Sequence, residues 1–415
     1  MIKIFLFMLL LLLNCNNLLF AQSEEPLGPR LRTIVKNKYA NDIIIGATTG
    51  SWAFGTDTGV ILDREFSYVT PENDFKQSTI HPGPGVWNWA ASDAWIQHIV
   101  NNSQILRMHC PIGPQCSAWA RDDNRTAEEL ENNLRKFLTA VCKRYNGKTG
   151  FEYMDVVNET VVRGAWHTNK PGVTWECPWY KIGLDENNIP LYIKIAFEIA
   201  QQYAPNLKFI YNHHESNPDS WKLIIKTIKH LRDSGLRVDG IGWQAHINNG
   251  WATTENLNEL RALIDLAHNN DLEFHITEAS VWLKDGNSQE NLQKQKLKAL
   301  VNWAHKNNFK LHTTKPSDLS KDVNFQEYLQ KQADTYYAIM NVLLEKRFTG
   351  KVGWNVWYID DGYGWSTEQY PALFDSNYLP KPAYYAIQRA LLNGNETKKT
   401  QTYKKKDKIE KARAE

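Results

Sequence analysis

The sequence predicts an α/β protein of the (β/α)8 TIM-barrel class. Three observations carry this. Eight apolar runs of strand length are spaced along the chain. Amphipathic stretches of helical period alternate with them. No glycine-rich phosphate loop follows the first run, which counts against a doubly wound sheet, the other architecture that alternating β and α units allow. The chain has 415 residues, more than the ~150 of a typical domain, but barrels with insertions reach this size as one unit.

The strand candidates, in order, are residues 42–48 (DIIIGAT), 66–73 (FSYVTPEN), 104–109 (QILRMH), 151–159 (FEYMDVVNE), 207–212 (LKFIYN), 238–246 (VDGIGWQAH), 272–278 (LEFHITE) and 351–359 (KVGWNVWYI). Helical patterns fall between them, among others at 126–145, 190–203 and 220–235. Thr126 with Glu129 three residues on is a capping box for the first of these helices. No internal repeat is present.

The ends of the chain read as separate segments. Lys3, the apolar run Ile4–Leu13 and the small residue Ala21 describe a secretory leader over residues 1–22, too short to span a bilayer. Asn14 before Cys15 is not the small residue a lipid-anchor site requires, so secretion without a lipid anchor is expected. Residues 23–392 are the expected barrel, and 393–415 a basic tail outside it, with eight Lys or Arg against three acids from Lys398 onward. The whole chain carries a net charge of only +2, which asks for neither nucleic acid nor an acidic partner. After the leader four cysteines remain, Cys110, Cys116, Cys142 and Cys177, either disulfide-bonded or buried thiols. Sixteen tryptophans are the compositional outlier, and on loops such flat apolar surfaces suit sugar rings. The loop Val161–Pro178, with Trp166, His167 and Trp175, and the insertion Ala279–Gly350, with Trp282, are both expected near a cleft.

In a barrel of this class, chemistry sits at the C-terminal ends of the strands. Here those ends are polar one after another: Glu72 and Asn73, His109, Asn158 and Glu159, Asn212, Gln244 and His246, Glu278, with Trp357 and Trp365 after the last strand. One such residue is an ordinary solvated loop residue; the set is a site. Two carboxylates on the fourth and seventh strands, Glu159 and Glu278, match the needs of glycoside hydrolysis. One protonates the departing oxygen and the other acts at the anomeric carbon, with retention at a separation of ~5–5.5 Å and inversion at ~6.5–9.5 Å. This chemistry needs no metal or other cofactor. His109, Cys110 and Cys116 lack a zinc spacing, and His213 and His214 should point apart on an extended chain.

These motifs together resemble glycoside hydrolase family 10, the xylanase family. MDVVNE is similar to its acid/base motif and HITEAS to its nucleophile strand. VTPENDFK resembles the segment that lines the sugar cleft, here through Glu72, Asn73 and Lys76. RMH resembles its Arg-Gly-His, matching His109; DGIGWQAH its sixth strand, matching Gln244 and His246; and VWYIDDGYGW with ALFDSNYLPKPAYYAI its C-terminal end, matching Trp357 and Trp365. The resemblance covers about residues 42–392 and implies a retaining endo-β-1,4-xylanase, acting as a monomer on a polysaccharide. Glu278 would be the nucleophile, Glu159 the acid and then the base, Asn158 the partner of the sugar 2-hydroxyl, His246 the support of Glu278, and Trp357 and Trp365 walls under the sugar.

The chain also departs from the family. CPIGPQCSAW replaces the Trp-His pair that follows the third strand, with Gln115 standing near a family glutamine. Ser280 stands where an Asp often follows the nucleophile, and Asn212-His213-His214 replaces Asn-Asp-Tyr. These changes leave a second hypothesis, the same reaction on another β-glycan, and a third, a non-catalytic glycan-binding barrel, against which the presence of both glutamates argues.

Overall fold

The structure, a computed structural model, describes residues 25–39, 42–114, 125–168, 177–283 and 324–394. The leader, the basic tail from residue 395, Gln115, Cys116, Trp175 and residues 284–323 of the insertion lie outside the described residues.

Eleven strands occur among the described residues: β1 (Ile43–Thr49), β2 (Tyr68–Pro71), β3 (Ile105–Met108), β4 (Phe151–Asn158), β5 (Val161–Val162), β6 (Ala165–Trp166), β7 (Lys208–His213), β8 (Gly240–Trp243), β9 (His246–Asn248), β10 (Glu273–Trp282) and β11 (Val352–Val356). Eight of them, β1, β2, β3, β4, β7, β8, β10 and β11, form one parallel sheet in chain order. It closes where β11 pairs with β1, Ile43 opposite Val352. Closure rules out the doubly wound alternative, because an open sheet keeps two free edges. β5 and β6 make a small antiparallel hairpin after β4.

Each expected strand is present, with shifted limits. β2 is shorter than expected, so Glu72 and Asn73 sit just past its end. The 238–246 run is two strands, β8 and β9, because Ala245 between them adopts a left-handed φ of 57° that no continuous strand tolerates. β10 runs four residues past Glu278 and pairs with β9, Ser280 opposite His246. The capping box is formed: Thr126 Oγ1 accepts from the Glu129 N–H at 3.1 Å, and the Glu129 carboxylate accepts from the Thr126 N–H at 2.7 Å.

The core has two parts. The apolar outer faces of the strands pack against the ring of helices. Inside the barrel, Ile44, Tyr68, Tyr153 and Ile210 make a separate buried cluster that plugs the lumen. One turn higher the lumen becomes polar. Arg107 on β3 reaches across it to the Thr277 carbonyl on β10 at 2.8 Å, and Asn355 on β11 donates to Thr48 Oγ1 at 2.7 Å. This change from aromatic plug to polar layer marks the end of the barrel that carries the site.

The C-terminal helix Pro382–Asn393 is fixed by a buried ion pair. Lys381 Nζ lies 2.7 Å from Asp361 Oδ2, in the segment after β11, and also donates to the Tyr370 carbonyl at 2.7 Å. Breaking a buried pair leaves its partner uncompensated. Lys381→Ala should therefore cost about 3–5 kcal/mol, read as a lowered urea midpoint; an unchanged midpoint would show that the pair does not hold the helix.

Candidate active site at the C-terminal rim of the barrel

The register of the sheet slips just where the polar residues begin. On β4 the pairing with β7 shifts between Asp155 and Val157, and on β10 the pairing with β11 shifts between Ile276 and Ala279. Such irregularities re-aim side chains at a barrel rim. They lie directly before Asn158–Glu159 and around Glu278.

Glu159 sits past the end of β4 with φ 53°. A left-handed residue other than glycine costs on the order of 1 kcal/mol or more. The turn is held by its N–H, which donates to the Asn212 carbonyl at 3.1 Å, and by its own carbonyl, which accepts from His167 Nδ1 at 2.9 Å. Its carboxylate Oε1 accepts from Gln244 Nε2 at 2.7 Å. Gln244 also approaches Asn158 Oδ1 at 3.3 Å. Asn212 Nδ2 then donates to both Asn158 Oδ1 and Glu278 Oε1, each at 2.9 Å, while its Oδ1 accepts from Thr277 Oγ1 at 2.7 Å. A continuous set of amide hydrogen bonds thus joins Glu159 to Glu278 through Gln244, Asn158 and Asn212. Gly242 makes room for it: a Cβ there would overlap Asn212 Oδ1 and Thr277 Cγ2.

Glu278 is buried, and burial alone would raise its pKa. His109, His246 and Arg107 reverse this and hold it down at about 2. The geometry agrees: Glu278 Oε1 is 3.8 Å from His109 Nδ1, and Oε2 is 3.4 Å from His246 Nε2. His109 Nδ1 in turn lies 2.8 Å from Asp155 Oδ2, which is 3.3 Å from Arg107. Burial would lower the pKa of His109, but the charges of Cys110 and Glu278 and the Asp155 hydrogen bond raise it to about 10. Arg107 and His109 thus face Asp155 and Glu278 in one buried cluster of two basic and two acidic side chains. The sequence reading named His109 and Glu278 but missed Arg107 and Asp155, whose signal was a charge inside an otherwise apolar strand.

The break at Ala245 lets near neighbours serve different carboxylates, Gln244 touching Glu159 and His246 touching Glu278. Trp282, expected near the cleft, stacks parallel to His246 at 6.2 Å. Trp357 is buried, its edge against His109 at 5.2 Å, whereas Trp365 is exposed and meets His246 edge-on at 5.5 Å. Glu72 is joined to this group through Tyr358, whose hydroxyl lies 3.4 Å from its carboxylate, and it also accepts from Tyr363 at 3.1 Å. Lys76 Nζ donates to Asn73 Oδ1 at 2.9 Å on the rim.

Trp166 and His167, expected near the cleft, are placed on and just after the β5–β6 hairpin, and His167 reaches Glu159. His213 and His214 do not point apart: β7 ends at His213, alternation is no longer enforced, and the rings meet edge to face at 4.8 Å. Cys142 and Cys177 are buried thiols, pushed up to about 12 by burial. A separate cavity of about 240 Å³ lies between the helices Pro218–Asp233 and Thr254–Asn269, walled mainly by Trp221, Trp243, Trp251, Leu260 and Leu263, without the paired carboxylates of the rim. No helix among the described residues is long and apolar enough to cross a membrane.

The chain is similar to known proteins in sequence and in fold. The family model described as glycosyl hydrolase family 10 matches residues 33–390. The chain is 26% identical over 365 residues to endo-1,4-beta-xylanase A of Caldicellulosiruptor sp. (strain Rt8B.4), covering 84% of this chain but 46% of that protein, so it spans just under half of that relative. It is 27% identical over 338 residues to a beta-1,4-xylanase of Dictyoglomus thermophilum, covering 79% and 82%. Among solved structures, native xylanase 10B from Thermotoga maritima superposes with a TM-score of 0.67 at 25% identity, over 88% of this chain and 98% of that one.

Asp155 faces both buried cations of the cluster. Asp155→Ala should cost about 3–5 kcal/mol in urea unfolding, and Asp155→Asn, which keeps an acceptor, should cost less. Equal stability of wild type and Asp155→Ala would show that the cluster is not held through this carboxylate.

Proposed function

The chain belongs to glycosyl hydrolase family 10, and from that premise we propose that it is a retaining endo-β-1,4-xylanase in which Glu278 is the nucleophile and Glu159 the acid/base. The observation that carries the reading is the hydrogen-bonded path from Glu159 to Glu278, which fixes two carboxylates in different environments on one rim. Glu278, kept ionised by His109, His246 and Arg107, suits attack on the anomeric carbon. As the carbon–oxygen bond to the leaving sugar breaks, Glu159 gives that oxygen its proton. A water then attacks the glycosyl-enzyme ester, Glu159 takes the water's proton, and Glu278 leaves as carboxylate. Esterification removes the Glu278 charge, which favours Glu159 as a base in the second step.

Asn158 is the proposed partner of the sugar 2-hydroxyl, and Glu72, Asn73, Lys76, His109 and Gln244 line the cleft with Trp357 and Trp365 as walls. Trp357 Nε1 and His246 Nδ1 are buried without a hydrogen-bond partner among the described residues. Buried polar atoms need a partner, and substrate hydroxyls, which both donate and accept, supply one for either kind. The leader is read as a secretion signal removed near residue 22, with residues 23–392 as the catalytic unit, the basic tail outside it, and the enzyme acting as a monomer.

The purified protein, incubated with plain, mixed-linkage and decorated xylans and with β-glucan, should release xylo-oligosaccharides that the Glu278→Ala protein does not. Release from another glycan alone would keep the mechanism and discard the xylanase reading; no release from any polymer would discard both. Glu159→Ala should lose on the order of 10²–10⁴ in rate on substrates with poor leaving groups, and much less in the first step on an activated aryl glycoside.

The pH dependence follows from Glu278. Its folded pKa, about 2, lies below the ordinary value of about 4.3. Its contribution to stability is complete above the ordinary value and is lost as pH falls through the folded one. The Glu278 limb of kcat/KM should accordingly lie near pH 2. His246→Ala should move that limb upward by on the order of one pH unit, and a limb that stays in place would show that His246 does not hold the carboxylate.

A further inference from the structure

Among the described residues, three large aromatic side chains are exposed: Trp52 (46%), Tyr363 (39%) and Trp365 (43%). They lie on one connected wall that begins at Glu278. His246 is 3.4 Å from Glu278 and meets the Trp365 ring at 5.5 Å. The Trp365 N–H donates to the Tyr358 hydroxyl at 3.2 Å, and Tyr358 and Tyr363 both reach the Glu72 carboxylate. Tyr363 then meets Trp52, ring centroids 4.2 Å apart and tilted by 48°.

Trp52 stands on a braced turn. The 3-10 segment Ser51–Ala53 follows β1 directly, and the Ser51 N–H donates to Asp74 Oδ2 at 2.8 Å. Asp74 is buried and also accepts from Trp95 Nε1 at 2.7 Å. The indole folds back over Gly50, where any Cβ would collide with it. An indole left in water gives up hydrophobic stabilisation. A rigid exposed pair beside a polar cleft is the arrangement a sugar's C–H face requires.

We propose that Trp52 and Tyr363 form a stacking platform for a sugar residue remote from the cleavage point, on the side of the cleft reached from Glu278 through Glu72 rather than through Glu159. The inference rests on the glycanase reading above. It names two residues that extend the cleft past Glu72, and the ligand is a β-linked pyranose unit of a longer chain. The Tyr363 hydroxyl on Glu72 ties the platform to the polar residues of the rim.

The test is a length series. Rates on xylobiose through xylohexaose would be compared for wild type, Trp52→Ala and Trp52→Phe, with melting temperatures alongside. The loss in kcat/KM for Trp52→Ala should grow with chain length, reaching on the order of tenfold for the longest substrate relative to the shortest, as for one stacking contact. It should appear in KM more than in kcat, and Trp52→Phe should recover most of it. A loss equal at every length, or no loss, overturns the platform. If wild type cleaves no xylo-oligosaccharide, the xylanase reading fails separately; the same series built from the β-glycan it does cleave then decides the platform by the same criterion.

Discussion

The site depends on one carboxylate that the chemistry does not touch. Asp155 is fully buried inside the barrel and faces Arg107 and His109 at once. Charges of one sign cannot be stacked in a low-dielectric interior; they must be balanced nearby or neutralised. Asp155 balances one cation. The second cation then demands another anion, and Glu278 is where it is found, 3.8 Å from His109. The low pKa of Glu278 is thus held by His109, His246 and Arg107 together, against its burial.

The same polar layer explains why the barrel carries so many small adjustments at this end. Amide groups of Asn158, Asn212, Gln244 and Asn355 fill the lumen where a stability-driven core would hold leucine and isoleucine. Each must be satisfied, and the geometry obliges: Asn212 uses both amide hydrogens and its carbonyl, and Gly242 gives up a side chain to allow it. Left-handed residues at Glu159 and Ala245, and register slips on β4 and β10, are the local cost of aiming these groups. The apolar shell between strands and helices, together with the aromatic plug below, supplies the stability that offsets it.

This division also governs what could be read from the sequence. The strands were legible because their outer and lumen faces are both buried over most of their length, giving near-continuous apolar runs. The rim was legible because the runs end in polar residues, as at Asn158–Glu159 and Glu278. Arg107 and Asp155 were not, because a charge within a strand has no partner visible along the chain; its partner comes from another strand, 48 residues away for this pair. The split at Ala245 was equally hidden, since alanine gives no sign of a left-handed conformation, unlike glycine or asparagine. His213 and His214 were misjudged for a related reason: strand alternation was carried one residue past the point where hydrogen bonding stops.

Ser280 shows how the departures fit the same constraint. An aspartate at this position would place a third anion beside Glu278 and call for a further cation. With serine, the hydroxyl turns back to the Glu278 carbonyl at 3.4 Å, and no acid is added to the cluster of Arg107, His109, Asp155 and Glu278. His246, opposite Ser280 across β9 and β10, then meets Glu278 without a second acid behind its Nδ1. Its position is set by packing instead, between the parallel face of Trp282 and the edges of Trp357 and Trp365. The exchange of a charge for an aromatic cage leaves the two rim carboxylates joined by their amide hydrogen bonds while changing the walls around them. The lumen accordingly sets the charge around Glu278, and the aromatic rim sets the shape of the walls beside it.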